Sequence, residues 1–280
     1  MTDENHFIDV DNFQKPNARL YLTEWCKRRR IEPGDELSNR LLNAFRKSPN
    51  ILYLKLLLHH YCQMLPLENT TEDVGSHIAS SLKSIIEHYF VTMEKKHGRS
   101  VIERIMGYLS AARFGLSEHE LQGMLSQKSD QALSKTTQQF SSFHLSRILH
   151  DLSPCLSKIY FDGVLVLTWK HLIIRYLAFD RYLSARRGDA MTSTYQTLTN
   201  YFASPDQDDP LTSLRRIHDL PHYLCKAGNA ERLKRLALCN FNFLQEQLMG
   251  TSVDYVIECF TARYCPMDGD LKTIVETLKM

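Results

Sequence analysis

The chain has 280 residues, of which 43% are hydrophobic, and it carries 34 basic and 32 acidic side chains. This is the composition of an ordinary globular protein, and the length predicts about two domains. A net charge of only +2 excludes a chain-wide field that would attract nucleic acid or an anionic membrane. The longest apolar run, Ile51–Leu58, is well short of the roughly 20 residues that span a bilayer, so we expect no contact with membranes.

The cysteines indicate a reducing environment. There are 7 of them, and no two form a C-x-x-C pair. Because the number is odd and no signal peptide is recognisable, we expect a cytoplasmic protein. Cys155 with His144 or His150 could be a nucleophile with its base, but no third residue that would orient such a base is identifiable. A structural cysteine is therefore the favoured interpretation.

Apolar residues at helical spacing predict a helical bundle over residues 1–97. Segments with this spacing are Ala18–Cys26, Leu37–Arg46 and Ile51–Met64. The clearest apolar stripe comprises Leu82, Ile85, Ile86, Tyr89, Phe90 and Met93.

Two polar features of this bundle have a structural interpretation. The basic run Lys27–Arg30 is typical of a solvated helix end, where cations are favourable, and this interpretation is preferred over a nuclear-localisation or phosphate-binding run. His59 and His60 have no suitably spaced cysteine or carboxylate partner, so we interpret them as core or boundary residues rather than metal ligands.

The pattern of residues 98–185 predicts a winged helix, a fold of three helices followed by a β-hairpin. Ser100–Glu103 and Ser117–Glu120 have the spacing of capping boxes and should each begin a helix. A third helix is predicted from about Phe143 to Leu152, after a polar loop over Gln127–Ser141.

The hairpin itself carries the strongest local signal. Two strand-like runs, Leu156–Tyr160 and Val164–Trp169, flank Asp162-Gly163, a dipeptide that supplies the positive φ angles of a tight turn. The second run delivers His171 to the start of a helix. On this helix the predicted apolar face comprises Ile173, Ile174, Leu177 and Tyr182, and the predicted solvent-facing residues are Lys170, Arg175, Asp180 and Arg181.

Short helices in pairs are predicted over residues 186–280. One is marked by Tyr195, Leu198 and Phe202, and the loop after it spans Ser204–Asp209. Asp219 could cap a helix that ends at Gly228, and Asn229 could cap the next, which would run to Leu248. The predicted fold class is therefore mainly α: a helical bundle, a winged helix with one β-hairpin, and a short α-superhelical segment without a clean fixed-period repeat.

No catalytic motif is present in the sequence. None of the 11 glycines stands in the G-x-x-x-x-G-K-[ST] pattern that cradles phosphates. The sequence also contains no H-E-x-x-H pair, no G-x-S-x-G elbow and no clustered Cys/His set. We therefore expect no enzyme, no catalytic residue, no metal site and no cofactor in this chain.

Several segments together resemble a known family. They are Leu54–Leu56, Glu94–Gly98, Gly115–Leu121, the strand–His171–helix stretch that ends in Arg181–Leu183, and Asp219–Leu224 followed by Ala227-Gly228. In this order they are similar to the NACHT and WD-repeat proteins, signal-transduction ATPases related to nephrocystin-3 and telomerase protein component 1. The resemblance covers nearly the whole chain.

The resemblance implies an architecture and a function. Residues 1–97 would be the helical lid of a NACHT-type ATPase, residues 98–185 its winged helix and residues 186–280 a helical hairpin or superhelical segment. The ATPase core would precede residue 1 and a WD-repeat propeller would follow residue 280. The chain would be a non-catalytic regulatory fragment that packs against the nucleotide-binding core, with protein partners or self-association; ATP or ADP is implied only for the intact family architecture.

The resemblance also gives His171 a role as a phosphate sensor. In signal-transduction ATPases a histidine at the start of the helix after the wing reaches the phosphates of ADP, which an imidazole N–H can do by donating a hydrogen bond. The acidic residue that follows this histidine in the Met-His-Asp version is Leu172 here. The alternative is a histidine that bonds a backbone carbonyl at a strand–helix corner.

A winged-helix nucleic-acid-binding protein is the alternative function. Its third helix would have to present cationic or amide side chains to the bases. Phe143–Leu152 offers Arg147 but also Asp151, so the sequence does not favour nucleic acid. The regulatory function instead predicts apolar surface that is exposed where the ATPase core would pack.

Overall fold

The computed structural model describes residues 15–30, 35–64, 79–127, 140–184, 189–204, 210–261, 273, 276 and 277. The chain divides into two compact units, Met1–Lys96 and His97–Met280. In the described residues the fold is mainly α-helical with one two-stranded antiparallel sheet, which confirms the predicted class. None of the described helices is long and apolar enough to cross a membrane. The division into three domains that the sequence predicts stays a prediction.

The described part of the first unit consists mainly of helices that bury the predicted apolar stripes. These helices are α1 (Lys15–Arg29), α2 (Asp35–Lys47), α3 (Ile51–Met64) and α4 (Leu82–His97), whose last residue belongs to the second unit. Of the clearest stripe, every residue except Leu82 is buried. The chain leaves α1 at Arg30, which has a positive φ of 55°, so the basic run is the end of a helix.

The paired histidines of α3 are partly buried at the edge of this core. The ring of His60 meets the ring of His88 edge-on at 4.7 Å, and the ring of His59 meets that of Tyr89 at 6.4 Å. Burial first, and then the neighbouring His88 and His59, lower the pKa of His60 to about 4. Among the residues described, no group of three or more His, Cys, Asp or Glu side chains could hold a metal ion. These positions agree with the boundary interpretation.

Of the two predicted capping boxes, the one at Ser100 is wrong and the one at Ser117 is confirmed. Helix α5 (Arg99–Ala111) follows α4 after the single residue Gly98, which has a φ of 92°, so Ser100 lies inside the first turn instead of before it. Glu103 accordingly pairs with Arg99. Helix α6 (Glu118–Ser126) begins as predicted: the Glu120 amide donates to Ser117 Oγ at 3.1 Å, and the Ser117 amide donates to Glu120 Oε2 at 2.6 Å.

The winged-helix order is completed by α7 (Ser142–Leu152), β1 (Leu156–Phe161) and β2 (Val164–Trp169). The strands pair from Leu156 with Trp169 to Phe161 with Val164, around a turn with positive φ at Asp162 and Gly163. Leu116 pairs with β2 as a single-residue β-bridge, because it exchanges two backbone hydrogen bonds with Leu167. The hairpin prediction is confirmed. The predicted loop Gln127–Ser141 lies mostly outside the described residues.

The helix after the wing, α8 (Leu172–Phe179), continues into a π-helical turn, Asp180–Ser184. Ile174, Leu177 and Tyr182 are buried as predicted. For two residues of this helix the predicted burial is wrong. Ile173 is 39% exposed, whereas Arg175 is partly buried because its guanidinium reaches the carbonyls at the end of α5.

Among the residues of the second unit that the structure describes, five further helices have defined bounds. They are α9 (Asp189–Ala203), α10 (Pro210–Lys226), α11 (Ala230–Leu233), α12 (Phe241–Gly250) and α13 (Val253–Thr261), with a π-helical turn Lys234–Leu238 after α11. Tyr195, Leu198 and Phe202 are buried on α9 as predicted. Of the predicted loop Ser204–Asp209, residues 205–209 lie outside the described residues. The superhelical arrangement stays a prediction.

The predicted caps of this region are half right. Asn229 caps α11, since its side chain accepts the Arg232 amide at 2.9 Å. Asp219 is not a cap: it lies in the middle of α10 and is fully buried, because an ion pair with Arg215 one turn earlier holds its carboxylate. The helix predicted from Asn229 to Leu248 is two helices, because a second cap at Asn240 starts α12.

A proline inside α10 explains how α12 is anchored. Pro221 has no N–H, so the Ile217 carbonyl one turn earlier loses its helical partner. The fully buried Gln247 of α12 donates its amide N–H to this carbonyl at 3.3 Å. The proline thus creates a free acceptor within α10 that a neighbouring helix uses.

The two serines offer a matched test of the capping assignment. We expect Ser117→Ala to lower the free energy of unfolding by about 1 kcal/mol, because it removes the cap of α6. We expect Ser100→Ala to change it by less than about 0.5 kcal/mol, because Ser100 is exposed and caps nothing. Urea denaturation followed by circular dichroism measures both; equal losses would contradict the assignment.

Two glycines with nearly the same φ separate backbone strain from steric clash. At Gly115, with φ 90°, a Cβ would lie 2.5 Å from the Leu167 carbonyl oxygen, whereas at Gly98, with φ 92°, it would meet nothing within 4 Å. We expect Gly98→Ala to cost about 1–2 kcal/mol of stability from the left-handed backbone alone. Gly115→Ala should cost about 1–3 kcal/mol more, because the added methyl group pushes the wing away. The same denaturation assay decides; a Gly115→Ala variant no less stable than Gly98→Ala would contradict the close approach.

Candidate functional site at the strand–helix corner

His171 lies at the corner between β2 and α8, where the sequence placed it. Its backbone is extended, with φ −140° and ψ 140°, and its carbonyl accepts the first amides of the helix, from Ile174 and Arg175 at 3.1 and 3.3 Å. The imidazole is on an exposed residue and does not cap the helix. The corner is therefore built as predicted, and the phosphate-sensing role of His171 stays a prediction.

Arg175 fixes this corner to the rest of the winged helix. Its Nε donates to the Ser110 carbonyl at 3.3 Å and its Nη2 to the Ala112 carbonyl at 2.9 Å. These carbonyls lie at the end of α5, where the last turn has no helical partners and a cation is favourable. The first turns of α8, and with them His171, are thereby held against α5.

Cys155 supports the corner from inside. Its amide donates to the Leu152 carbonyl at 2.9 Å and its carbonyl accepts the Lys170 amide at 2.8 Å, which joins the end of α7 to the end of β2. The residue is fully buried, and burial raises the pKa of its thiol to about 12 although Lys170 acts in the opposite direction. A thiol that stays protonated at neutral pH is a poor nucleophile. This agrees with the structural interpretation of Cys155.

Large apolar side chains are exposed beside His171. Leu172 is 82% exposed, Tyr176 69% and Ile173 39%. We call His171, Leu172, Ile173 and Tyr176 the corner surface. Contiguous exposed apolar groups of this kind are characteristic of surfaces that bind other proteins.

The wing and the third helix each form a carboxylate–histidine pair with another part of the second unit. At the wing turn, the Asp162 carboxylate lies 2.6 Å from Nδ1 of His218 on α10, and both side chains are largely buried. On α7, Asp151 pairs with the buried His97 at 2.6 Å, whereas Arg147 is exposed. The tip of the hairpin is thus covered by a helix of the same unit.

A buried cluster of charges, which the sequence did not reveal, lies where α10 meets the wing and α6. Arg215 is fully buried, and its Nε donates to Glu120 Oε1 at 3.1 Å, while its Nη2 donates to the Gly115 carbonyl at 2.8 Å. Its Nη1 forms an ion pair with Asp219 Oδ2 at 2.8 Å. Burial raises the pKa of the Asp219 carboxyl, although the Arg215 guanidinium acts to lower it. The carbon of the guanidinium lies 5.2 Å from the ring centre of Phe161 in the wing.

A second arginine extends the same junction to α13. Arg113, between α5 and α6, donates from Nη1 to Tyr255 Oη at 3.1 Å and to Cys259 Sγ at 3.7 Å. Tyr255 Oη in turn donates to the His218 carbonyl at 3.2 Å. The loop after α5 therefore touches both α10 and α13.

The segment Asp219–Leu224, which contributed to the family resemblance, lies within α10. Its leucines and Tyr223 are buried, and His222 meets Tyr195 of α9 at a ring distance of 6.4 Å. Burial, followed by the nearby charges of Arg113, Lys226 and Arg175, lowers the pKa of His222 to about 4. The residues of this segment therefore serve packing in the second unit.

Comparison with known proteins agrees with this geometry. Residues 68–188 match the family described as the NWD1-like, winged helix-turn-helix domain. The matched segment has the helix order and the β-hairpin of a winged helix. It contains the hairpin, the corner surface and the Glu120 side of the buried cluster, and the predicted winged helix is confirmed.

Proteins similar to more than half of the chain are found among the NACHT and WD-repeat proteins. The chain is 24% identical over 218 residues to the NACHT domain- and WD repeat-containing protein 1 of Mus musculus, a match that covers 65% of this chain and 14% of that protein. The human protein of the same name is 23% identical over 235 residues, covering 70% of this chain and 14% of the relative. The NACHT and WD repeat domain-containing protein 2 of Mus musculus is 22% identical over 182 residues, covering 62% of this chain and 10% of the relative.

The chain is therefore similar to the NACHT and WD-repeat proteins, as its motifs predicted. The match spans only about a seventh of the length of the first two relatives. No solved structure matches this chain.

The depressed pKa of His222 makes the second unit sensitive to acid. In the unfolded chain this group titrates near 6.5, and in the folded chain only near 4. Between these values the unfolded state binds a proton that the folded state does not, so stability is complete above pH 6.5 and falls as the pH drops. We expect the contribution of His222 to fall by about 2 kcal/mol between pH 6.5 and pH 5.0.

Urea denaturation at pH 7.5 and pH 5.0 tests this expectation. The variant His222→Gln should lose less stability on acidification than the wild type. The control His119→Gln, which removes an exposed histidine from α6, should keep the wild-type dependence. An equal acid sensitivity in the wild type and in His222→Gln would contradict the burial effect.

Proposed function

We propose that this chain is a regulatory, protein-binding segment of a NACHT-type signalling ATPase, without catalytic activity of its own. Its winged helix domain packs against a nucleotide-binding core through the corner surface and couples the nucleotide state of that core to assembly. In this proposal residues 1–97 are the helical lid, residues 98–185 the winged helix and residues 186–280 the helical segment that follows. The protein works in the cytoplasm, and ATP or ADP binds to the core rather than to this chain.

The single observation that carries the proposal is the exposed corner surface. It lies in a winged helix domain whose relatives are named for a NACHT domain. Exposed apolar side chains follow directly in the chain after His171, the residue to which the family resemblance gives the role of phosphate sensor. An apolar rim that excludes water strengthens a hydrogen bond between an imidazole N–H and a phosphate, since the effective dielectric constant falls.

His171 is suited to the role of a sensor in this arrangement. Its position immediately before α8 places it at the positive end of the helix dipole, where an anion is favoured. Arg175 holds this turn against α5, so the imidazole starts from a defined position. ADP in the core would thus favour the packed state, and its exchange for ATP would release the winged helix.

The engaged wing supports this function over nucleic-acid binding. A wing that contacts a phosphate backbone needs an accessible turn, whereas Asp162 is held by His218. An acidic turn also repels phosphates. Of the third helix, Arg147 is exposed but the neighbouring charge is Asp151.

Binding to a nucleotide-binding core in two nucleotide states tests the proposal. The purified NACHT core of the mouse NACHT domain- and WD repeat-containing protein 1 is loaded with ADP or with a non-hydrolysable ATP analogue and titrated onto the immobilised chain. We expect tighter binding of the ADP-loaded core. His171→Ala should remove this preference by about tenfold, the effect of one charge-assisted hydrogen bond of about 1.5 kcal/mol.

Two variants serve as controls. His119→Ala removes an exposed histidine of α6 and should keep the preference for ADP. Tyr176→Ser removes apolar area from the corner surface and should weaken binding in both nucleotide states. Equal binding of the two loaded forms by the wild type, an unchanged preference in His171→Ala, or no binding at all would overturn the proposal.

A further inference from the structure

We propose that Arg215 is an internal latch that joins α10–α13 to the winged helix domain, so that the two parts move and open as one body. This joint belongs to the chain itself and exists whether or not a nucleotide-binding core is present. Its test is therefore independent of the function proposed above.

The latch is formed by three nitrogens of one guanidinium that hold three different places in the chain. Nε binds Glu120 of α6, Nη2 binds the Gly115 carbonyl of the loop before α6, and Nη1 pairs with Asp219 on its own helix. The first two partners lie 95 and 100 residues upstream of Arg215. Arg215 thus connects two parts of the sequence that are distant from each other.

Glu120 makes the connection rigid on the side of the winged helix. Its Oε2 accepts the Ser117 amide in the capping box and its Oε1 accepts Arg215 Nε. A carboxylate held at both oxygens cannot rotate to follow a moving partner. The rotation of α6 about its start is therefore fixed relative to α10.

Stacked aromatic rings pack near the Arg215 guanidinium on the side of the wing. The rings of Phe161 and Phe114 are stacked at 4.2 Å, and the Arg215 guanidinium lies over Phe161. The guanidinium also lies 5.8 Å from the ring centre of Phe202 in α9. The charge is therefore enclosed by aromatic rings from the wing and from α9, which exclude water.

The cost of breaking this cluster is what makes it a latch. If α10 moved away from the wing, the guanidinium would leave Glu120 and Gly115 while the remaining packing still withheld it from water. Asp219 lies on α10 and would move with Arg215, but Nε and Nη2 would lose their acceptors and the buried Glu120 would lose its counter-charge. Buried charges and donors without partners are among the most unfavourable arrangements in a protein. Intermediate positions of α10 are therefore disfavoured. The helix is either packed against the winged helix with all contacts of Arg215 formed, or separated from it.

Hydrogen exchange of the full chain tests the latch. In the wild type we expect the core amides of α5 and of β1–β2 to open together with those of α10, α12 and α13. In Arg215→Met, which keeps length but removes the charge and its donors, the α10–α13 amides should exchange at least about tenfold faster, and the α5 and hairpin amides should change by less than about threefold.

A matched arginine on the same helix is the control. Arg216 lies next in the chain, and its guanidinium lies 5.7 Å from the ring centre of Phe243 in α12 instead of reaching the winged helix. Arg216→Met should change exchange of the α10–α13 amides by less than about threefold. Selective loosening in Arg215→Met but not in Arg216→Met supports the latch, and equal loosening in both variants overturns it.

A second variant covers the case in which Arg215→Met unfolds. Arg215→Lys keeps the positive charge on one nitrogen, which cannot hold three separated acceptors at once. It should loosen the α10–α13 amides selectively, by about threefold or more. Uniform acceleration of both parts, complete unfolding of both variants, or no change in exchange would each overturn the proposal.

Discussion

The second unit of this protein depends on the burial of one guanidinium. Arg215 has no exposed surface, and a cation without water needs its hydrogen-bond acceptors and counter-charges in place. The fold meets this need with Glu120, Asp219 and the Gly115 carbonyl. These partners belong to α6, to α10 and to the loop that precedes α6, so satisfying one side chain fixes the relative position of three segments.

The local and the tertiary roles of Glu120 are linked. The capping box needs only one of its oxygens, and the second oxygen is free to bind a cation. A glutamate that already has a fixed position loses little conformational entropy when it accepts a further hydrogen bond. This is a physical reason why a buried arginine pairs with a capping residue rather than with a mobile surface carboxylate.

Features that depend on residues close in sequence could be predicted. The hairpin follows from Asp162-Gly163 between two strand-like runs, and the starts of α6 and α11 follow from Ser117 and Asn229, because each signal acts within three or four residues. The corner was predicted as well, since only Lys170 and His171 separate the end of β2 from the start of α8.

Features that depend on distant partners could not be predicted. Asp219 has the composition of a cap, and only its pairing with a buried Arg215 makes it an interior residue. Arg175 has the spacing of a solvent-facing residue, but its acceptors are 63 and 65 residues upstream. Ser100 matched the capping pattern, and the positive φ of Gly98 moved the start of the helix ahead of it. For Asp219 and Arg175 a tertiary contact outweighed the local pattern, whereas for Ser100 a second local signal, the conformation of Gly98, did so.

The corner surface and the buried cluster are connected through one short loop. Arg175 of α8 holds the carbonyls of Ser110 and Ala112, and three residues later the Gly115 carbonyl is held by Arg215 of α10. Both ends of the loop 112–116 are thus bound by arginines, and Leu116 pins it to β2. These contacts couple the movement of the corner surface to that of α10 only if the connected parts have two discrete arrangements. The proposed ADP-bound and ATP-bound states supply two arrangements of the corner. Because the loop is bound at both ends, α10 would move together with the corner.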